Sequence, residues 1–189
     1  VKEFRLGFAP SEWESLSVFL RNCGYKDGDI VDAGLAIKRD GSNGVYDRFR
    51  SRIVFPISDL NGQIVGFTGR VFEGDEKEAK YINTPQTTIY DKGRILYGLH
   101  KAKTEIRRED KCVMVEGNMD ALMSYQAGVK NVVATSGTAL TPGHLRIIQR
   151  YTPNLGLCFD TDQAGAMATR RGVGLALVNG LNVKVVEIS

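Results

Sequence analysis

The chain has 189 residues, 42% of them hydrophobic, with 25 Lys/Arg against 22 Asp/Glu and a net charge of +3. That is enough apolar material for one or two compact domains; it excludes a disordered chain and gives overall charge little weight as evidence for a polyanionic partner. No apolar run approaches the ~18 residues of a membrane span and no signal-peptide pattern opens the chain, so the sequence reads as a cytoplasmic protein with no membrane attachment.

Three cysteines (Cys23, Cys112, Cys158) lie far apart without a CxxC, and His100 and His144 are isolated. Zinc ligation within this chain is therefore not expected, and Cys112 and Cys158 read as buried apolar groups in a reducing compartment. The chain opens without Met and reads as a fragment.

In residues 1–45, Pro10-Ser11 precedes a helical pattern with Trp13, Leu16, Phe19 and Leu20 on one face, stopped by Gly24. Lys26-Asp27-Gly28-Asp29 reads as a turn, and Ile30–Leu35 as a short ordered piece. Residues 46–72 read as a hairpin: runs 52–57 and 63–70 flank Asp59-Leu60-Asn61-Gly62, and Asn-Gly is the strongest short hairpin signal. Pro56 places its strand at an edge or a bulge. Arg48, Arg50 and Arg52 alternate ahead of it. If extended, they share one face as a cationic row; the competing reading is a solvated edge that blocks aggregation.

The charged turn 73–78 follows, then Lys80-Tyr81-Ile82-Asn83-Thr84-Pro85, the basic turn Asp91-Lys92-Gly93-Arg94, and a helix over His100–Arg108. Residues 48–108 hold twelve Lys/Arg against seven Asp/Glu, a net of +5 that includes Arg70, Lys80 and Lys92. A phosphate-rich substrate suits that balance.

From residue 111 the pattern alternates: strand 112–115, helix 118–127, strand 131–135, helix 141–150, strand 155–159, helix 163–178, strand 182–188. Repeated β-α alternation implies a parallel sheet with right-handed crossovers, and a domain boundary falls near 108–111. Of the five acids in 111–189, four cluster in two motifs: Glu116 and Asp120 after the first strand, Asp160 and Asp162 after the third. Open α/β sheets bind ligands at the carboxyl ends of their strands. Glu116, Asp160 and Asp162 suit Mg²⁺, which takes oxygen ligands and substrate phosphates, with Asp120 positioning waters or a second ion. Gly117 and Gly165 sit just past the acids, where bare backbone permits tight turns and close approach of phosphate.

These residues resemble a known family. Val115-Glu116-Gly117-Asn118-Met119-Asp120 and Phe159-Asp160-Thr161-Asp162-Gln163-Ala164-Gly165 look like the two signature motifs of the TOPRIM fold. Upstream, Tyr46–Ile57, Gly66–Arg70, Lys80–Pro85 and Lys92–Gly98 are similar in order and spacing to the catalytic core of bacterial DnaG-type DNA primases, a likeness that spans residues 4–188. It implies an α/β fold in two parts: a basic α+β subdomain over 1–110, then a TOPRIM domain over 111–189, truncated at its C-terminal end, with a mostly parallel sheet flanked by helices.

The implied activity is template-directed synthesis of short RNA primers from ribonucleoside triphosphates on single-stranded DNA, in a groove between the two parts. By the same resemblance Glu116, Asp160 and Asp162 hold Mg²⁺ or Mn²⁺ and Asp120 assists. Arg70, Lys80, Asn83 and Lys92 contact nucleotide phosphates and nucleic acid, and Arg48, Arg50 and Arg52 form the arginine-rich motif beside the template. Replicative helicase and single-strand-binding protein are implied partners of the full-length protein. The family's zinc-ribbon domain, a further acidic motif and the helicase-interacting domain have no counterpart in this chain. Two alternatives stand beside this reading: another TOPRIM enzyme (a nuclease or topoisomerase) and a non-enzymatic DNA binder of the recombination-mediator type.

Overall fold

A computed structural model of the chain describes residues 2–41, 44–73 and 79–186. Apart from Glu73, the charged turn expected at 73–78 lies outside the described residues, and so does the end of the last expected strand with Glu187. The chain divides into two compact units: residues 1–57 with 64–91, and residues 58–63 with 92–189.

The first unit is α+β. Its four-stranded sheet has the order β1-β4-β5-β6, from β1 (Gly7–Ala9), β4 (Arg52–Ser58), β5 (Ile64–Val71) and β6 (Tyr81–Asn83). The expected hairpin is β4–β5. Its turn is held by the Asp59 carboxylate, whose Oδ1 accepts from the backbone N–H of Asn61 and Gln63, both at 2.9 Å. β4 is an interior strand, because β1 pairs with it over residues 52–54; Pro56 lies just past that pairing, where no ladder bond to β1 is lost.

A small second sheet pairs β2 (Ala36–Lys38) with β3 (Val45–Asp47), strands whose three-residue length left no readable alternation. Two helices accompany it, α1 (Ser15–Asn22) and α2 (Asp27–Asp32). The expected turn at 26–29 is thus the first turn of α2, in which the Asp29 carboxylate accepts from the Lys26 N–H at 3.1 Å.

α1 also departs from expectation in the face it buries. Trp13 precedes the helix and Phe19 is 61% exposed, whereas Ser17 is fully buried. The reason is Asp47, 2% exposed at the end of β3. Its carboxylate accepts from the N–H of Leu16 at 2.6 Å, the N–H of Ser17 at 2.9 Å and the Ser17 hydroxyl at 2.5 Å. No residue beside the helix caps it; a remote acid satisfies its first N–H groups and complements its dipole. Trp13 instead lies under the Arg50 guanidinium, 4.2 Å from the ring centre, and edge-on to Tyr46.

The second unit is α/β. Four parallel strands run in the order β10-β9-β7-β8, from β7 (Cys112–Val115), β8 (Val132–Ala134), β9 (Asn154–Leu157) and β10 (Asn182–Val185). Four helices belong to the same unit: α3 (Leu99–Glu109), α4 (Asn118–Gln126), α5 (Pro142–Ile148) and α6 (Gln163–Val178). The core joins Met114, Val133, Leu155 and Leu157 of the strands to Ile106, Leu145, Ile148 and Ala176 of the helices. The alternation from residue 111 therefore holds, with element ends within two residues of the expected bounds except that β10 ends at Val185. Cys112 is fully buried as expected, but Cys158 lies one residue past β9 and is half-buried. Among the described residues no helix is long and apolar enough to cross a membrane.

Asp47→Ala is expected to cost on the order of 2–4 kcal/mol, since it strands buried donors at the start of α1. The urea midpoint checks it, and Asp47→Asn, which keeps an acceptor, should lose less.

Candidate metal centre

β7 and β9 are hydrogen-bonded neighbours, with Met114 opposite Leu157 and the Cys158 N–H donating to the Met114 carbonyl at 2.8 Å. Past this pairing the chain reaches Glu116 two residues after Met114 and Asp160 three residues after Leu157. The Asp160 N–H donates to Glu116 Oε1 at 3.3 Å, across 44 residues of sequence. The two motifs thus meet at the carboxyl edge of the parallel sheet.

The other two acids sit at helix starts. Asp162 is the N-cap of α6, its Oδ1 accepting from the Gly165 N–H at 2.7 Å. Asp120, in the first turn of α4, accepts from the Gly117 N–H at 3.0 Å. The geometry gives Gly165 a role other than approach of phosphate: a Cβ there would lie 2.1 Å from the Asp160 carbonyl oxygen, so the Asp160–Asp162 turn closes only over a bare backbone.

Electrostatics single out Glu116. Burial raises its pKa most; the Asp160 N–H opposes that, while the carboxylates of Asp160, Asp162 and Asp120 push it further up. Among the described residues no Lys or Arg forms an ion pair with any of the four acids. An uncompensated, all-oxygen donor set of this kind fits a hard divalent cation. Among the described residues no three acidic, His or Cys side chains already converge into a ligand cluster, in keeping with the capping duties of Asp120 and Asp162. A cavity of about 580 Å³ opens beside Glu116, walled by Thr135, Thr138, Leu140, Phe159, Met167 and Arg171.

The basic candidates fall in both units. In the first, Arg70 on β5 pairs with Tyr81 on β6, and Thr68 pairs with Asn83, so strand alternation sets Arg70 and Asn83 on one face. The Thr68 hydroxyl lies 2.6 Å from Asn83 Oδ1, and the Arg70 guanidinium lies 5.8 Å from the Tyr81 ring centre. Lys80 just precedes β6 and is exposed. The three arginines of the 48–52 stretch do not form a row. Residues 48–51 are not a strand, and Ser51 takes a left-handed conformation (φ 48°) that breaks the alternation. Arg52 is 7% exposed and donates to the Ala79 carbonyl at 2.9 Å. Arg50 stacks on Trp13 and bonds the Asp47 carbonyl, and burial lowers the Arg48 pKa. In the second unit Lys92 is half-buried, with its carbonyl 2.9 Å from the His144 ring.

Sequence reading missed two supports of the centre. Asn118, 2% exposed at the start of α4, bonds the Ser136 hydroxyl. Ser136 has φ 58°, and the following Gly137 N–H donates to the Glu116 carbonyl at 3.4 Å. A small polar residue in an apolar run carries no signal of such strain.

The carboxylate-tipped parallel sheet defines a Toprim-like domain, whose family pattern matches residues 113–189. Residues 1–103 match the N-terminal domain of the DNA primase catalytic core. The chain belongs to the DNA primase catalytic core family. It is 43% identical to the DNA primase of Staphylococcus aureus (strain COL) over 188 residues, 100% of this chain and 31% of that one. A DNA primase domain from Pseudomonas aeruginosa superposes with a TM-score of 0.89 at 38% identity, over 99% of this chain and 59% of that one. A DnaG primase catalytic domain bound to single-stranded DNA superposes with a TM-score of 0.85 at 35% identity, over 100% and 61%. The chain spans 25–31% of the length of the first curated relatives it matches. Divalent metal use is a property of the Toprim and primase families.

Because Glu116 keeps its proton to higher pH when folded than when unfolded, its ionised form costs stability above the folded pKa, and that cost disappears as pH falls through it. Glu116→Gln is therefore expected to raise the Tm of the metal-free chain at pH 7. The gain should vanish on acidification below the ordinary glutamate range, as read by calorimetry across pH.

Proposed function

We propose that this chain is part of a primase catalytic core that synthesises short RNA primers on a single-stranded DNA template. The observation that carries the reading is the junction of Glu116 with the Asp160 N–H at adjacent strand ends, in a chain of the primase family. The reaction is attack by a ribonucleotide 3′-hydroxyl on the α-phosphate of the next ribonucleoside triphosphate. One P–O bond forms, the bond to pyrophosphate breaks, and the hydroxyl proton leaves with solvent or a nearby base.

Glu116, Asp160 and Asp162 would hold Mg²⁺ or Mn²⁺, and Asp120 assists from α4. When bound, the cation neutralises phosphate charge and lowers the pKa of an oxygen it touches. The chain's own residues do the rest. Capping fixes Asp162 at the head of α6, and partial burial keeps Glu116 in one place beside Asp160. Arg70, Lys80, Asn83 and Lys92 bind nucleotide and nucleic-acid phosphates, and such cations stabilise charge that moves onto leaving pyrophosphate. Arg48 and Arg50 contact the template, and Arg52 supports the strand beside them through its carbonyl bonds.

In this reading residues 1–110 are the basic subdomain and 111–189 the Toprim domain. The protein works in the cytoplasm, and helicase and single-strand-binding protein meet the full-length protein through residues outside this chain. Support for a DNA template comes from the relative bound to single-stranded DNA.

Asp160→Ala is expected to abolish labelled primer synthesis from ribonucleotides on single-stranded DNA while leaving the circular dichroism spectrum unchanged. Full activity in that variant would remove the metal centre from the mechanism. Arg70→Ala or Lys80→Ala should weaken single-stranded DNA binding and reduce the slope of log affinity against log salt by about 1. An unchanged slope would count against phosphate contact at those positions.

A further inference from the structure

Two residues that the reaction does not use grip the loop that carries Lys92, from 48 and 52 positions away in sequence. Thr141, the N-cap of α5, donates its hydroxyl to the Gly93 carbonyl at 2.6 Å while accepting from the His144 N–H at 3.1 Å. His144, 0% exposed, places Nε2 2.9 Å from the Lys92 carbonyl. A carbonyl only accepts, so the ring proton sits on Nε2. Between them, Gly143 brings the helix so close that a Cβ would lie 2.5 Å from the Gly93 oxygen and 3.2 Å from Arg94 Cγ.

The backbone of Lys92 and Gly93 is thus bonded at consecutive carbonyls, with Arg94 packed against the same turn of α5. The two cations of the loop are left open: among the described residues neither Lys92 nor Arg94 forms an ion pair. Fixed backbone under unneutralised charge is the arrangement that binds an anion at low ordering cost, because little remains to be immobilised. A loop held only for stability would gain more from neutralising its charges locally.

We propose that Thr141 and His144 are positioning residues for Lys92, holding its ammonium where it meets the phosphates of a ribonucleoside triphosphate. The inference rests on the reading of Lys92 as a phosphate ligand and adds the device that aims it. Loss of the grip frees the loop, and affinity falls by the cost of ordering it again.

Calorimetric titration of the whole chain with a ribonucleoside triphosphate and Mg²⁺ tests this. His144→Leu, which keeps volume and removes the donor, is expected to raise Kd about tenfold, the worth of one buried hydrogen bond. His144→Gln, whose amide reaches a similar point, should restore most of the affinity, and Thr141→Val should weaken binding in the same way. Lys92→Ala should weaken binding too, and the double variant His144→Leu/Lys92→Ala should bind no worse than Lys92→Ala alone. Multiplicative losses in the double variant, or an unchanged Kd in His144→Leu beside a weakened Lys92→Ala, would overturn the positioning role alone. No loss in Lys92→Ala would overturn it together with the phosphate-ligand reading. Should His144→Leu fail to fold, Thr141→Val carries the same comparison.

Discussion

The second unit depends on the parallel pairing of β7 with β9. That register is set by apolar side chains, Met114 and Leu157 among them, with no acid in the ladder itself. Yet it decides that Glu116 and the Asp160 turn end side by side. Parallel strands expose their carboxyl ends together; Glu116 follows β7 by one residue and Asp160 follows β9 by three, and the Asp160 N–H still reaches the Glu116 carboxylate. Both strands are interior and buried on their two faces, so a shift of one residue in either would mismatch the packing on both faces and separate the carboxylates in the same motion. The fold therefore protects the site by protecting its own core.

The site acids also serve the fold. Asp162 caps α6 and Asp120 closes the first turn of α4, so both spend lone pairs on backbone N–H groups. A carboxylate has room for both tasks, since each oxygen accepts more than one bond. Only Glu116 is held mainly by its surroundings, half-buried and pushed toward its protonated form by burial and by its neighbours. The arrangement keeps repulsion local: helix N-termini steady two of the acids, and the Asp160 N–H steadies Glu116.

Much of this was legible in the chain. The short apolar runs ending in Glu116 and Asp160, spaced by helical patterns, determined the sheet and the meeting of the two motifs, because buried parallel strands have few other sequence forms. The Asn-Gly hairpin was legible for a similar reason, as a turn that admits few residues. What stayed hidden was long-range and polar. Nothing near α1 announces that its cap is Asp47, and nothing near Arg52 tells a buried bond to Ala79 from a place in a cationic row. Trp13 misled because a large apolar ring reads as core, whereas its partner is a guanidinium. Propensity reports on neighbours in sequence; these contacts join residues 27 to 37 positions apart.

The remote cap on α1 bears on how the first unit assembles. An eight-residue helix lies below the length that sustains itself in water, and this one has no acid in its own first turn. Until β3 is in place, its leading amides have only solvent to bond. As the chain leaves the ribosome, residues 15–22 therefore stay uncoiled until Asp47 follows them out. α1 and the β2–β3 pair then form in one cooperative step, with closure of the intervening loop as the entropic hurdle.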